Sequence, residues 1–160
     1  MSKKFRILFK KLHENAIKPK RITDGSAAYD AMLPQDYELK YGRQILPLGF
    51  AISMPPILYL DSRTRAGYAA KGIIAYDEDG NETRLDADVI LGLIDSDYTN
   101  EVGAIVVVRD ERVKNKKFTV RQGQAIAQLN FGFVPPTMFM ETDILPSTNR
   151  TGGFGHMNGE

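Results

Sequence analysis

The stretch GLIDSDYTNEVG, residues 92–103, sets Asp95 and Asp97 beside Tyr98 directly after apolar Leu93 and Ile94. A carboxylate next to an aromatic ring suits a polar ligand that itself carries a ring. Taken alone, the same residues also read as an ordinary acidic hairpin turn. The other reactive side chains are few. The chain has no cysteine and only two histidines, His13 and His156, which excludes thiol nucleophiles, disulfides, iron–sulfur clusters, cysteine-ligated zinc and a three-histidine zinc site. Gly67 and Gly72 have the internal spacing of a phosphate loop, but Ile73 and Ile74 stand where Lys and Ser or Thr must follow. No GxSxG elbow and no HExxH pair is present, so serine hydrolase and zincin chemistry lack their minimum equipment. A calcium loop starting at Asp77 fails because Glu82 occupies the position of the sharp-turn glycine.

The elements that must hold such residues are short strands. Apolar residues come in brief runs separated by Gly, Pro, Asn and Asp, without sustained helical periodicity, which predicts an all-β chain. Strands are predicted at residues 5–10, 44–53, 57–61, 72–76, 104–109, 117–121, 125–133 and 138–144, with one helical turn at 67–71. Many short strands with turn signals between them favour a sandwich, jelly roll or barrel over alternating βα units. Residues 75–88 hold six acids against Arg84 alone, and Asp79 and Gly80 supply tight-turn chemistry, so this segment reads as an exposed acidic hairpin. The tail from Ser147, STNRTGGFGHMNGE, is rich in glycine and reads as a flexible arm, either frayed or ordering over a ligand.

With 160 residues, 42% apolar and 26% charged, the chain has the balance of one globular domain, predicted at 1–146 with residues 147–160 as the arm. The net charge of +1 conceals a basic start. Eight Lys or Arg fall within residues 1–24 against two acids, which leaves the remainder near −5. Phe5, Ile7 and Phe9 alternate among those cations, which favours a solvated strand face over a nucleic-acid arm. The basic start runs into neither an apolar core nor a cleavage site, and the longest uncharged stretches are interrupted by proline or amides. A cytoplasmic protein with no membrane span and no direct nucleic-acid contact is expected.

Five segments, in order, carry a more specific signal. SAAYDA at 26–31, TRAGYAAKG at 64–72, GLIDSDYTNE at 92–101, RQGQAIAQL at 121–129 and RTGGFGH at 150–156 resemble the five motifs of the trimeric all-β dUTPases, possessed by phages among others. The resemblance implies a distorted jelly-roll or β-barrel and hydrolysis of dUTP to dUMP and pyrophosphate by water attack on the α-phosphorus. It implies Asp95 as general base, and Asp30 as the acid that acts on Mg²⁺ through a metal-bound water. Arg65, Gln128 and Arg150 would contact phosphate oxygens, with Ala66 and Gly67 at the same site and Thr64 as a substitute donor. Tyr98 would lie under the deoxyribose. Main-chain groups around Val89, Leu91, Gly92 and Ile94 would read the uracil edge, and Phe154 with Gly153 would close over the base. The sites would be shared between the subunits of a homotrimer.

The match has departures. Ala66 stands where the second motif has Ser, which removes one phosphate contact. Arg150 is one residue closer to Phe154 than the common spacing, and His156 replaces a usual Ser or Thr. A shifted register on Arg63 restores a hydroxyl but sacrifices the alignment of Gly67 and Lys71, so Arg65 is preferred. Two other readings stay open. One is a catalytically weakened dUTP-binding regulator that engages a protein partner through the acidic insertion at about 75–88. The other is a dCTP-processing relative of the same fold.

Overall fold

The computed structural model describes residues 3–155, and its regular secondary structure is almost wholly antiparallel strand. In chain order these are β1 (Leu8–Lys11), β2 (Tyr29–Met32), β3 (Tyr37–Glu38), β4 (Gly42–Pro47), β5 (Phe50–Ser53) and β6 (Leu58–Arg63). The short helix α1 (Ala66–Lys71) follows, then β7 (Ile73–Tyr76), β8 (Glu82–Leu85), β9 (Ala87–Val89), β10 (Gly92–Ile94), β11 (Gly103–Val108), a 3-10 turn (Glu111–Lys114), β12 (Thr119–Val120) and β13 (Ala125–Phe133). They form four small sheets with strand orders β1-β5, β10-β6-β13-β2, β4-β11-β9 and β3-β12-β7-β8, a jelly-roll arrangement that confirms the expected all-β class.

Alternation in the strands decides which side chains make the core. In β11, Ala104, Val106 and Val108 point inward, while Gly103, Ile105 and Val107 lie on the other face. Leu33, Leu46, Leu48, Phe50, Leu60, Ile73, Leu85 and Ile126 complete a continuous apolar interior. At the start of the chain, Phe9 packs its ring 5.1 Å from that of Phe50, and Phe5 meets Phe133 edge-on at 5.8 Å. Only Leu8–Lys11 pairs as a strand there, against β5, three residues later than expected.

Two further expectations are corrected, and a third, the acidic hairpin, is met. The predicted strand 44–53 is two strands. Gly49, at φ 78° with the His13 and Pro34 side chains where a Cβ would sit, breaks the run and sends β5 into another sheet. The strand expected at 138–144 does not form. After Val134 the chain leaves the body through Pro135 and Pro136, finds no neighbouring strand among the described residues, and exposes Met138, Phe139, Met140, Ile144 and Leu145. The acidic segment is a hairpin, with Gly80 at φ 81° and the Asp77 carboxylate accepting the amides of Asp79 and Asn81. Its strands are tied into the body, because Ala75, Leu85 and Ala87 are core residues, while residues 78–82 at the tip, with Arg84 and Asp86, are exposed. Its charge is also partly answered within the chain. Lys116 lies 4.0 Å from Asp77, and the Arg121 guanidinium sits over the Tyr76 ring.

Candidate active site

The sheet β10-β6-β13-β2 turns one face to the core and the other outward. Residues directly opposite in antiparallel strands share a face, so Asp30 on β2, Gln128 on β13 and Arg63 on β6 form one outward row. Arg65, two residues past Arg63 and still extended, carries its guanidinium back to that row. Its Nε donates to Asp30 Oδ1 at 3.3 Å and its Nη2 to Oδ2 at 3.5 Å. The Asp30 side chain is 5% exposed and that of Arg65 is 32% exposed, so the pair joins a buried carboxylate to a half-open cation. The Gln128 amide has no protein hydrogen bond among the described residues, which leaves its donors for a ligand. Arg63 is committed elsewhere, to Asp61 at 2.7 and 3.1 Å, and Arg65 is the arginine of the row that faces Asp30.

Helix α1 starts at Ala66 and Gly67, both exposed, with no side-chain cap on its first amides. Its seat is fixed by Gln124, whose Nε2 donates to the Tyr68 hydroxyl at 2.9 Å and to the Ile74 carbonyl at 2.8 Å. Gln124 lies inside the fourth motif segment, but its sequence position says nothing of this role. The partner positions are 50 or more residues away.

Thr64 is not a spare phosphate donor. Its hydroxyl donates to the Val89 carbonyl at 2.6 Å and accepts the Val89 amide at 2.8 Å. The one hydroxyl proton is used, and so are the Val89 main-chain groups expected to read a base. Leu91, Gly92 and Ile94 remain of that set, on the connection and strand that lead to Asp95.

Asp95 and Tyr98 stand on a second surface. Tyr98 closes the turn by donating its amide to the Asp95 carbonyl at 3.1 Å and its hydroxyl to the Glu101 carbonyl at 2.8 Å. Glu101 in turn accepts the Gly49 amide at 3.0 Å, which pins the turn to the body. The cleft beside them, about 250 Å³, is walled by Ile45, Leu93, Ile94, Val102 and Ile105. Ile45 and Ile105 face each other across β4 and β11, and Ile45 and Leu93 are 65% and 70% exposed. An apolar slot edged by the free Asp95 carboxylate and by Glu101, which is tied to the Gly49 amide, suits a flat ring attached to a polar chain. The apolar wall was not legible in the sequence, because a strand's hydrophobic residues do not announce which face is outward.

The two surfaces are separate within one chain. Ile94 pairs with Leu60, so Asp95 lies toward the Tyr59 end of β6, whereas Arg65 leaves from the opposite end. The five residue steps from Leu60 to Arg65, extended, amount to about 16 Å. The arm joins neither group. Arg150 donates its Nε to the Gly152 carbonyl at 2.8 Å, Gly153 is half-buried, and Phe154 is fully exposed at φ 50°. His156 lies outside the described residues.

No group of three carboxylate or imidazole side chains converges on a point among the described residues. A magnesium ion here fits only with one protein carboxylate and with phosphate and water oxygens filling the rest of its octahedron, and the buried, oxygen-only donor at Asp30 is compatible with that.

The family model of the dUTPases matches residues 14–157. The deoxyuridine 5′-triphosphate nucleotidohydrolase of vaccinia virus (strain Copenhagen) is 32% identical over 151 residues, covering 93% of this chain and 90% of the relative. That of Paramecium bursaria Chlorella virus 1 is also 32% identical, covering 93% and 95%. Among solved structures, the Staphylococcus bacteriophage 80alpha dUTPase with dUPNHPP superposes with a TM-score of 0.75 at 19% identity, covering 94% of this chain and 96% of that one. The dUTPase from phage phi11 of S. aureus, described with a structural Mg(II) ion, superposes at 0.71 and 16% identity, covering 87% and 97%. The fold is that of an all-β nucleotidohydrolase domain. The chain belongs to the dUTPase family.

Proposed function

We propose that the protein hydrolyses dUTP to dUMP and pyrophosphate, limiting uracil in DNA, at sites shared between the subunits of a homotrimer. The observation that carries the reading is the division of the site. The Asp30–Arg65–Gln128 row suits a triphosphate, the Asp95–Tyr98 cleft suits a nucleoside, and about 16 Å of strand separates them in one chain. Two copies that place one chain's row against another's cleft complete the site. The exposed apolar residues between Met138 and Leu145 are those that such an assembly would cover.

In the reaction, Asp95 takes a proton from water as its oxygen bonds to the α-phosphorus, and the bond from that phosphorus to pyrophosphate breaks. Arg65 and Gln128, with Arg150 of the arm, hold the phosphate oxygens and offset charge that builds on the leaving group. Asp30 would hold Mg²⁺ through a bound water, and the ion would supply further neutralisation and alignment of the triphosphate. Tyr98 supports the sugar, the main chain around Leu91, Gly92 and Ile94 reads the base, and Gly153 and Phe154 close over it. Uracil carries O4 where cytosine carries an amino group, so a fixed main-chain donor there disfavours dCTP. Among the described residues no helix is long and apolar enough to cross a membrane. We place the enzyme in the cytoplasm with the nucleotide pool.

The test is pyrophosphate release from dUTP, dCTP, dTTP and UTP with and without Mg²⁺, beside Asp95→Asn. The Asp95 carboxylate is exposed and makes no protein hydrogen bond among the described residues, so the substitution leaves stability unchanged. A fall of about 10²- to 10⁴-fold in turnover with dUTP binding retained is expected. Equal turnover of dCTP, or full activity in the variant, contradicts the assignment.

A further inference from the structure

Resting on that reading, we propose that Thr64 is a positioning residue for Arg65: its hydroxyl clamps the segment that carries the phosphate-binding arginine to the free edge of β9. Strand β9 is the last in its sheet, paired only with β11. Val106 lies opposite Val89, while the bond across the ladder is made one residue on, from the Ile90 amide to the Ile105 carbonyl. The amide and carbonyl of Val89 therefore point away from β11, outward from the sheet edge. Val89 is only 4% exposed, so both groups need protein partners.

One side chain supplies both. The Thr64 hydroxyl is a single donor with lone pairs to spare, and it gives its proton to the Val89 carbonyl at 2.6 Å while accepting the Val89 amide at 2.8 Å. It mimics the neighbouring strand that β9 lacks. The consequence falls on the next residue. Arg65 is the extended N-cap of α1, and its long bonds to Asp30, at 3.3 and 3.5 Å, are too weak to fix the main chain that carries it. With Val89 holding Thr64, the guanidinium leaves the backbone from a fixed point beside Asp30 and Gln128. Without the clamp, Arg65 still exists and still bears its charge, but it no longer starts from that point.

Two substitutions separate hydroxyl from shape. Thr64→Val keeps the branched outline and removes both bonds; Thr64→Ser keeps both bonds and removes the methyl. Calorimetric binding to the full chain is measured with α,β-imido-dUTP, which carries all three phosphates, and with dUMP, which lacks the β- and γ-phosphates. Thr64→Val is expected to weaken the imido analogue by about tenfold, the order of one charge-assisted contact, with dUMP unchanged within about twofold. Thr64→Ser is expected to match the parent with both ligands. Amide exchange at Val89 is expected to accelerate in the Val variant and not in the Ser variant.

The proposal is overturned by equal loss of both ligands in Thr64→Val, by no loss of either, or by a Ser variant that loses the analogue as the Val variant does. If the Val variant does not fold, the Ser variant decides: a tenfold loss of the analogue there overturns the clamp, and parent affinity with a protected Val89 amide upholds it. A parent protein that turns over no dUTP defeats the functional reading instead, and that result is separate from either outcome at Thr64.

Discussion

Removing the Arg65 guanidinium while leaving Asp30 in place strands a carboxylate that is 5% exposed in its side chain. Breaking a well-buried ion pair from one side costs about 3–5 kcal/mol. Here the bonds are long, 3.3 and 3.5 Å, and the arginine is a third exposed, which puts the expected loss for Arg65→Ala lower, at about 2–3 kcal/mol. For a domain of this length each kcal/mol moves Tm by about 2–4 °C, so the variant should melt about 4–12 °C below the parent. Replacing the carboxylate as well, in Arg65→Ala with Asp30→Asn, removes the stranded charge and should return at least half of that loss. Turnover should stay low in both variants, because the phosphate contact is absent from each. Calorimetric melting at fixed protein concentration and pH 7, beside pyrophosphate release, reads both quantities. An unchanged Tm in the single variant, or a double variant as unstable as the single, refutes the view that Asp30 depends on Arg65 for its countercharge.

Two further outcomes rest on local geometry. Gly72 ends α1 at φ 90°, and a Cβ there would lie 2.4 Å from the Leu85 carbonyl oxygen, so Gly72→Ala should destabilise by more than about 3 kcal/mol and yield little folded protein on expression. Asp110 accepts the Asp86 amide and the Arg112 guanidinium, and the Arg112 hydrogen bonds above all hold its carboxyl well below the usual carboxylate value of 3.8. Because the folded value is the depressed one, this stabilisation is full above pH 4 and is lost as pH falls through the folded value. Urea unfolding of Asp110→Asn should show lower stability at pH 7 and a shallower decline below pH 4 than the parent; parallel curves would remove Asp110 from the account.

The sequence by itself determined the class of fold, because alternation and turn residues are local. Strand β13 was legible at 125–133 from its run of apolar residues, the turn at Gly80 from Asp-Gly chemistry, and α1 from its alanines. Five ordered segments also carried the family, since motif spacing survives in one dimension. Tertiary structure alone decided which residues stand together. Thr64 reads as a phosphate donor until Val89, 25 positions away, is seen to consume its hydroxyl. Residues 138–144 read as a strand because strand propensity is local, but a strand also needs an edge to pair with, and the described chain offers none there. The division between the Asp30 row and the Asp95 cleft follows from the register of β6 with β10 and β13, a long-range pairing that no local pattern encodes.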